Sequence, residues 1–352
     1  MPRLAGTLVL EAYLDQCVAA DARLGSAAKI LREIAATSIE VADLIALGLL
    51  FGRLGASRDS TNTDGDVQKE LDVLTNDMFI EAFKRAPVAA VVSEELSDPL
   101  GLDPTAPLVV AMDPLDGSSN IDANVSIGTI FSVLPALPNA SDLYAHFLQP
   151  GRAQIAAGFV IYGPQTSLVF VLGDGATQIF TLDRRHGCFF QAASDFKIAS
   201  DSTEYAINAS NYRHWDSPIR TYVDDCVQGA EGPLKRNYNM RWVASLVAEA
   251  YRILLRGGVF LYPADQRAGY ADGRLRLLYE ANPVALLVER AGGLATDSVR
   301  PVLDIAPSVI HERAPLVFGS SNLVELVARY HNDPQFSAER APLFGKRGLM
   351  RN

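Results

Sequence analysis

The chain has 352 residues, 49% hydrophobic and 20% charged, with a formal net charge of -10. That length exceeds a single ordinary core and predicts two domains, and the acidic balance argues against a general nucleic-acid binder, which would carry a basic footprint. No run approaches eighteen uninterrupted apolar residues and no basic patch precedes a long apolar segment, so neither a membrane span nor a leader is expected, and a cytoplasmic location is the default.

Cys17, Cys188 and Cys226 are widely spaced without a CxxC pair, and the five histidines are scattered, so buried inert thiols are expected and zinc is not. Residues 7 to 21 and 25 to 53 carry Ala, Leu and Ile at helical spacing, as in Leu10, Leu14 and Cys17, then Leu31, Ala35, Ile39 and Ala42. Gly55 is expected to close the second helix. Asn62 to Asp66 then leads into an amphipathic helix whose stripe is Val67, Leu71, Leu74 and Met78. Asp66, at its start, suits an N-cap accepting backbone N–H bonds. Asp72 lies roughly 240° round the helix from Asp66, off the apolar stripe, where solvent exposure would account for it equally well.

Val88 to Val92 reads as a buried strand that ends in Ser93, Glu94 and Glu95. The pattern repeats: Pro107 to Met112 is a second buried strand, and it ends in Asp113-Pro114-Leu115-Asp116-Gly117-Ser118-Ser119-Asn120-Ile121-Asp122. Asp-Pro and Asp-Gly are ordinary turn dipeptides and explain this string adequately if it is taken alone. Two strands that each deliver carboxylates at their carboxyl ends are harder to dismiss as surface charge. If parallel neighbours, they would bring like charges together, which costs stability unless cations neutralise them. Asp113 and Asp116 can turn their oxygens to a common hard cation such as Mg²⁺, though the spacing excludes an EF-hand loop. Gly117 lets the backbone pass close to a ligand, the amides of Ser118 and Ser119 can face a phosphate, and Asp122 reads as a structural residue beyond the site.

From Val125 to Val133, and over 155–163, 166–172, 177–181 and 187–191, short strands follow one another with turns between them, as in an antiparallel or mixed sheet. The polar stretch from Ala192 to Thr203 is the expected boundary. The expected division is 1–195, a metal-binding α+β domain; 196–335, an α/β substrate-binding domain; and 336–352, a tail. In the second half Asn208 to Tyr212 is a polar loop, Arg241 to Leu254 a helix with Trp242, Leu246, Val247, Ala250 and Leu254 buried, and Gly257 to Pro263 a strand. Arg274 to Glu280 precedes a helix with Pro283 in its first turn and Gly292-Gly293 at its end, which puts Glu280 near a helix N-terminus. There a carboxylate interacts favourably with the helix dipole, a role as good as catalysis for this segment alone. Leu316 to Gly319 is the last strand, followed by a helix through His331.

Asn62 to Asp72, Ser93-Glu94-Glu95, Asp113 to Asp122, Phe260 to Pro263 and Leu275 to Pro283 occur in an order and spacing that resemble class I fructose-1,6-bisphosphatase, over roughly residues 55 to 335. The Asp-Pro-Leu-Asp-Gly element is shared with inositol monophosphatases; Ser-Ser-Asn-Ile-Asp, the Leu-Tyr-Glu segment and the chain length favour the bisphosphatase. The resemblance implies an α/β fold, the layered α/β/α/β/α sugar phosphatase fold with mixed sheets and two subdomains. It implies hydrolysis of the 1-phosphate of fructose 1,6-bisphosphate with two or three Mg²⁺ per site, Mn²⁺ being possible. Metal ligands would be Glu94, Asp113, Asp116, Glu280 and the carbonyl of Leu115, with Asp66 helping to hold a further cation. Asp72 and Glu95 would activate the attacking water. Gly117, Ser118, Ser119 and Arg276 would cradle the 1-phosphate, and Arg274, Tyr262, Asn208, Asn211 and Tyr212 would hold the sugar and the 6-phosphate. Arg241 would reach a neighbouring subunit's site in a homotetramer. Neither nucleic acid nor a membrane is expected as a partner.

Departures from the family pattern bear on specificity. Trp242 replaces a common tyrosine, Arg274 a common lysine, and the Asn208 to Tyr212 loop is one residue longer, which leaves open whether Asn208 or Asn211 touches substrate. Sugar-chain length is the preference most exposed to these changes. The Gly-Glu-Leu-Thr and Lys-Tyr elements that bind AMP in many relatives are missing, and no Lys or Arg lies between Asp122 and Arg152, so AMP inhibition is expected to be weak or absent. A sedoheptulose-1,7-bisphosphatase or dual enzyme is the nearest alternative. An inositol-monophosphatase-like enzyme would leave the Arg241 and Arg274 region without a purpose, and an inactive sugar-phosphate sensor would be expected to have lost a ligand.

Overall fold

The computed structural model describes residues 8–50, 57–61, 67–194 and 196–333. Asp66, Gly55 and the tail beyond 333 lie outside the described residues. Strands from Val88 to Ala193 form one eight-stranded sheet, whose order from one edge is 188–193, 178–183, 166–172, 156–162, 127–135, 108–116, 88–93 and 100–101. All neighbours are antiparallel except Val88–Ser93 and Leu108–Asp116, which run parallel. The two acidic strand ends therefore do lie side by side.

Alternation along these strands divides the side chains between two faces. Met112, Phe131, Val133 and Phe170 enter one core with helices α1 (Leu10–Ala20) and α2 (Gly25–Leu47), while Ile130, Phe159 and Val169 enter another on the opposite face. This second core is closed by helices α5 (Leu246–Arg256) and α6 (Asn282–Arg290), which also pack on a five-stranded mixed sheet ordered 239–240, 204–206, 259–262, 316–319, 294–296. Helices α4 (Ser217–Val227) and α7 (Ser321–Asn332) cover its outer face through Trp215, Tyr222, Val327 and Tyr330. The layers run helix, sheet, helix, sheet, helix, as the resemblance implies. Among the described residues no helix is long and apolar enough to cross a membrane.

Several boundaries differ from expectation. Helix α2 stops at Leu47 because Gly48 takes a positive φ of 50°. Val67–Lys69 is a strand paired with Ser57–Thr61, so helix α3 spans Glu70–Phe83. Its buried face is Leu71, Asp72, Thr75, Asn76, Phe79 and Phe83, whereas Leu74 and Met78 are only half-buried. Asp72 is therefore buried, at 4% exposure, and solvent exposure does not explain it. Helix α5 starts after Ser245, whose hydroxyl accepts from Ala248 N, and leaves Arg241 exposed and Trp242 half-buried on an extended approach. Helix α4 falls in a stretch left without an expected element, although Asp216 capping Ile219 N ahead of Pro218 is a start signal.

Candidate active site

The strand Leu108–Asp116 is buried along its whole length, and its pairing with Ile127–Pro135 slips between Asp113 and Asp116. That irregularity turns both carboxylates toward one end of the sheet. Leu115 N donates to Asp113 Oδ1 at 2.9 Å, and Thr129 Oγ1 donates to the Pro114 carbonyl at 2.9 Å, so the slipped segment is fixed from both sides. Gly117 ends it with φ 78° and ψ 28°, a left-handed conformation that favours glycine. On the parallel neighbour, Glu94 N donates to Met112 O at 3.1 Å, which puts Glu94 beside Asp113.

Glu280 arrives from the second half of the chain. Residues Leu277–Ala281 form a π-helical turn that runs directly into α6, a wide turn that often marks functional sites. The Arg276 amide donates to Glu280 Oε2 at 2.5 Å and aims that carboxylate inward. Glu280 thus stands just before α6, and a local backbone bond turns its carboxylate in among the acids. Oxygens of Asp113, Asp116 and Glu280 lie within 4.8 Å of one another, and all three residues are buried.

Burial is the main force on these groups. It raises Asp116 to about 6 against the Val247 amide, which donates to its Oδ2 at 3.0 Å, and Glu280 to about 7. Asp113 and Glu94 are pushed well above the ordinary carboxylate range, first by burial and then by neighbouring charge, from Glu94, Asp116 and Glu280 on Asp113 and from Glu280, Glu95 and Asp116 on Glu94. Closely set buried carboxylates with only hard oxygen donors are the donor set of a divalent cation such as Mg²⁺ or Mn²⁺. The acidic cluster fits such an ion: four partly neutralised acids without a cation pay for their proximity in protons.

A cavity of about 600 Å³ opens in front of the cluster. Of the residues expected in the site, Asp72, Glu94, Glu95, Asp113, Leu115, Asp116, Gly117, Ser118, Ser119, Asn208, Tyr262, Arg274, Arg276 and Glu280 line it. Arg274 stands over the Tyr270 ring at 4.7 Å on the exposed side, and Arg276 is 2% exposed beneath the acids. Trp242 lies parallel to Phe260 and Tyr262, with ring centroids 5.9 and 6.0 Å away, and makes a flat aromatic wall.

Three expected residues are not brought into this cavity. Asn211 lines a small adjoining hollow with Asn208 and Arg274, Tyr212 OH donates to Asp224 Oδ1 at 2.9 Å, and Arg241 points outward with Nε 3.5 Å from Glu204 Oε1. Asp122 is exposed and away from the cavity, as expected of a residue beyond the site. Among the lining residues not expected in the site are two polar ones. Ser245 sits 3.5 Å from Asp116 Oδ2 and is visible in sequence only as a helix N-cap. Arg313 lies on a two-residue strand with no periodic signal. Cys226 is buried with its thiol pushed up to about 12 by desolvation, and Cys17, Cys188 and Cys226 are all unpaired.

A layered α/β scaffold whose acidic cluster shares one cavity with Arg274, Arg276 and Arg313 fits a metal-dependent phosphatase. Family models described as the N-terminal and C-terminal domains of fructose-1-6-bisphosphatase match residues 14–194 and 198–332. The chain is 55% identical over 344 residues to fructose-1,6-bisphosphatase class 1 of Sinorhizobium medicae, covering 97% of the chain and 98% of that protein. It is 52% identical over 343 residues to the protein of the same name from Methylorubrum populi, with the same coverage of 97% and 98%. A solved structure of Leishmania major fructose-1,6-bisphosphatase in holo form superposes with a TM-score of 0.84 at 30% identity, covering 93% of the chain and 99% of that one. The chain belongs to the class 1 fructose-1,6-bisphosphatase family.

Proposed function

We propose that the chain hydrolyses the 1-phosphate of D-fructose 1,6-bisphosphate, giving fructose 6-phosphate and inorganic phosphate, with Mg²⁺ or Mn²⁺ as cofactor. The observation that carries this reading is the cluster of Asp113, Asp116 and Glu280, with oxygens within 4.8 Å, in one cavity with Arg274 and Arg276. Glu94, Asp113, Asp116, Glu280 and the Leu115 carbonyl would hold cations, with Asp66 contributing to a further one. A cation held there neutralises charge on the phosphate oxygens and lowers the pKa of bound water.

The chain's own residues do the rest. Asp72 and Glu95 accept the proton of the attacking water from the wall beside the acids. The Gly117 to Ser119 backbone and Arg276 orient the 1-phosphate, because amides and a guanidinium fork both match phosphate oxygens. Arg274, Tyr262 and Asn208 or Asn211, with Tyr212 behind, hold the sugar and the 6-phosphate. Arg241, pointing outward, suits the site of a neighbouring copy, so a homotetramer is part of the proposal, as are a cytoplasmic location, service in gluconeogenesis or the Calvin cycle, and weak or absent inhibition by AMP. A division into 1–195, 196–335 and a tail is also part of the proposal, and the two sheets, one within 88–193 and one within 204–319, support its first boundary.

A second reading has one observation in its favour. The flat Trp242, Phe260 and Tyr262 wall offers apolar surface at the sugar end, which would tolerate a longer sugar, as in sedoheptulose 1,7-bisphosphate. Phosphate release with Mg²⁺ and each bisphosphate in turn tests both. Activity on fructose 1,6-bisphosphate that disappears with a chelator and returns with Mg²⁺ is the expected result, and turnover of neither sugar would refute both readings.

A further inference from the structure

The strand Arg313–Ala314 pairs antiparallel with Leu275–Arg276, in a register that sets Arg313 directly opposite Arg276. Residues directly opposite in such a ladder project to the same face, and like charges so placed destabilise the pair. Both arginines do face one space, since both line the cavity in front of the acidic cluster. Arg276 is 2% exposed, whereas Arg313 is half-buried and opens toward solvent.

The position of Arg313 is built rather than incidental. Leu277 N donates to the Glu312 carbonyl at 2.8 Å, and Ala314 is buried. Gly273, with φ 84°, packs so closely that an added Cβ would meet the Ala314 carbonyl carbon at 2.4 Å. Arg313 Nη1 reaches the Gly269 carbonyl at 3.4 Å, and the residue lines the same cavity as Arg276 and Glu280. Two guanidiniums facing one space beside a cation site form a receptor for a compact dianion.

We infer that Arg313 is a second guanidinium for the phosphate that is cleaved, closing over it from the solvent side while Arg276 holds it from beneath. This rests on the phosphatase reading above and deepens it. The half-exposed place of Arg313 puts it on the route by which inorganic phosphate leaves, so its charge sets how tightly that product is retained. Fructose 6-phosphate, held at the opposite end near Arg274, should not feel it.

The experiment is calorimetric titration of the Mg²⁺-loaded protein with inorganic phosphate and, separately, with fructose 6-phosphate, for the natural chain, Arg313→Gln and Arg313→Lys. Arg313→Gln should weaken inorganic phosphate binding by roughly tenfold or more, as for loss of one charge-assisted hydrogen bond, and leave fructose 6-phosphate affinity within about twofold. Arg313→Lys should recover part of the loss. Unchanged phosphate affinity in a folded Arg313→Gln protein, or equal loss of both ligands together with Mg²⁺, would overturn the inference. If Arg313→Gln does not fold, equal phosphate affinity in Arg313→Lys and the natural chain decides against it. Failure of the natural chain to release phosphate from either sugar bisphosphate would instead refute the underlying reading.

Discussion

The two walls of the cavity are made in different ways. The acidic wall grows from long, fully buried strands, Val88–Ser93 and Leu108–Asp116, whose parallel pairing sets Glu94 beside Asp113. The cationic wall comes from short pieces, an approach before α5 and the two-residue strands Leu275–Arg276 and Arg313–Ala314, and the π-helical turn beside them brings Glu280 to the acids. The first is rigid because a sheet core fixes it on both faces. The second is held by single hydrogen bonds between segments far apart in sequence, as in Asn120 Nδ2 donating to the Ala244 carbonyl at 2.9 Å. Charge on the acidic wall should therefore control turnover, and shape on the cationic wall should control which ligand is held.

The sharpest way to break this comparison is at Asp113. Asp113→Asn keeps the acceptor for the Leu115 amide but removes one of the clustered charges. It should lower turnover by about 10³-fold or more, the loss of several kcal/mol of charge stabilisation. In the presence of a chelator the same substitution should raise the melting temperature, because burial and neighbouring acids already disfavour that charge. A phosphate-release assay and a thermal melt of one preparation check both, and full activity would remove Asp113 from the metal site.

Asp72→Asn comes next. Its side chain is buried at the cavity wall, outside the group of Asp113, Asp116 and Glu280. The substitution should reduce kcat by about 10²- to 10⁴-fold, the usual contribution of a general base. The Mg²⁺ concentration giving half-maximal activity should stay nearly constant. A large shift in that concentration would place Asp72 among the cation ligands instead.

Stability against pH gives a smaller effect with a definite sign. Glu280 and Asp116, raised to about 7 and about 6, hold protons in the folded chain that the unfolded chain has released. Their contribution is fully present below about pH 4, the ordinary carboxylate value, and is lost as pH rises through 6 and 7. The chelated protein should melt at a lower temperature at pH 8 than at pH 5. Saturating Mg²⁺ should stabilise it far more at pH 8, since a cation replaces the protons. Equal melting temperatures at both pH values in chelator would show that the acids are not crowded in solution.

The acidic wall was largely legible in the chain. An apolar run followed by acids, twice over, predicts strand ends with clustered charge, and Glu94, Asp113 and Asp116 are found there. The half-buried Leu74 and Met78 suggest a stripe that leaves Asp72 outside, while the helix buries Asp72 on one face with Thr75 and Asn76. Burial of polar residues at an active site runs against the hydrophobic period on which such an assignment depends. The cationic wall was legible only through family resemblance at Arg274 and Arg276. Arg313 could not be found, because a two-residue strand has no period and its register with Arg276 is a tertiary fact.

The smallest effect probes the seam between the walls, at Ser245. Its hydroxyl accepts from Ala248 N at 3.4 Å as the cap of α5 and lies 3.5 Å from Asp116 Oδ2. The cap argues for a stability cost of about 1 kcal/mol in Ser245→Ala, read from denaturant unfolding of the chelated protein. Asp116 keeps the closer bond from the Val247 amide at 3.0 Å, so its carboxylate should stay aimed at the cluster. Turnover should then fall by no more than a few fold at saturating Mg²⁺, the long hydroxyl contact being weak. A loss as large as that of Asp72→Asn would mean that the two walls are not separable. The start of α5 would then set the geometry of the acids as strongly as the strand that carries them.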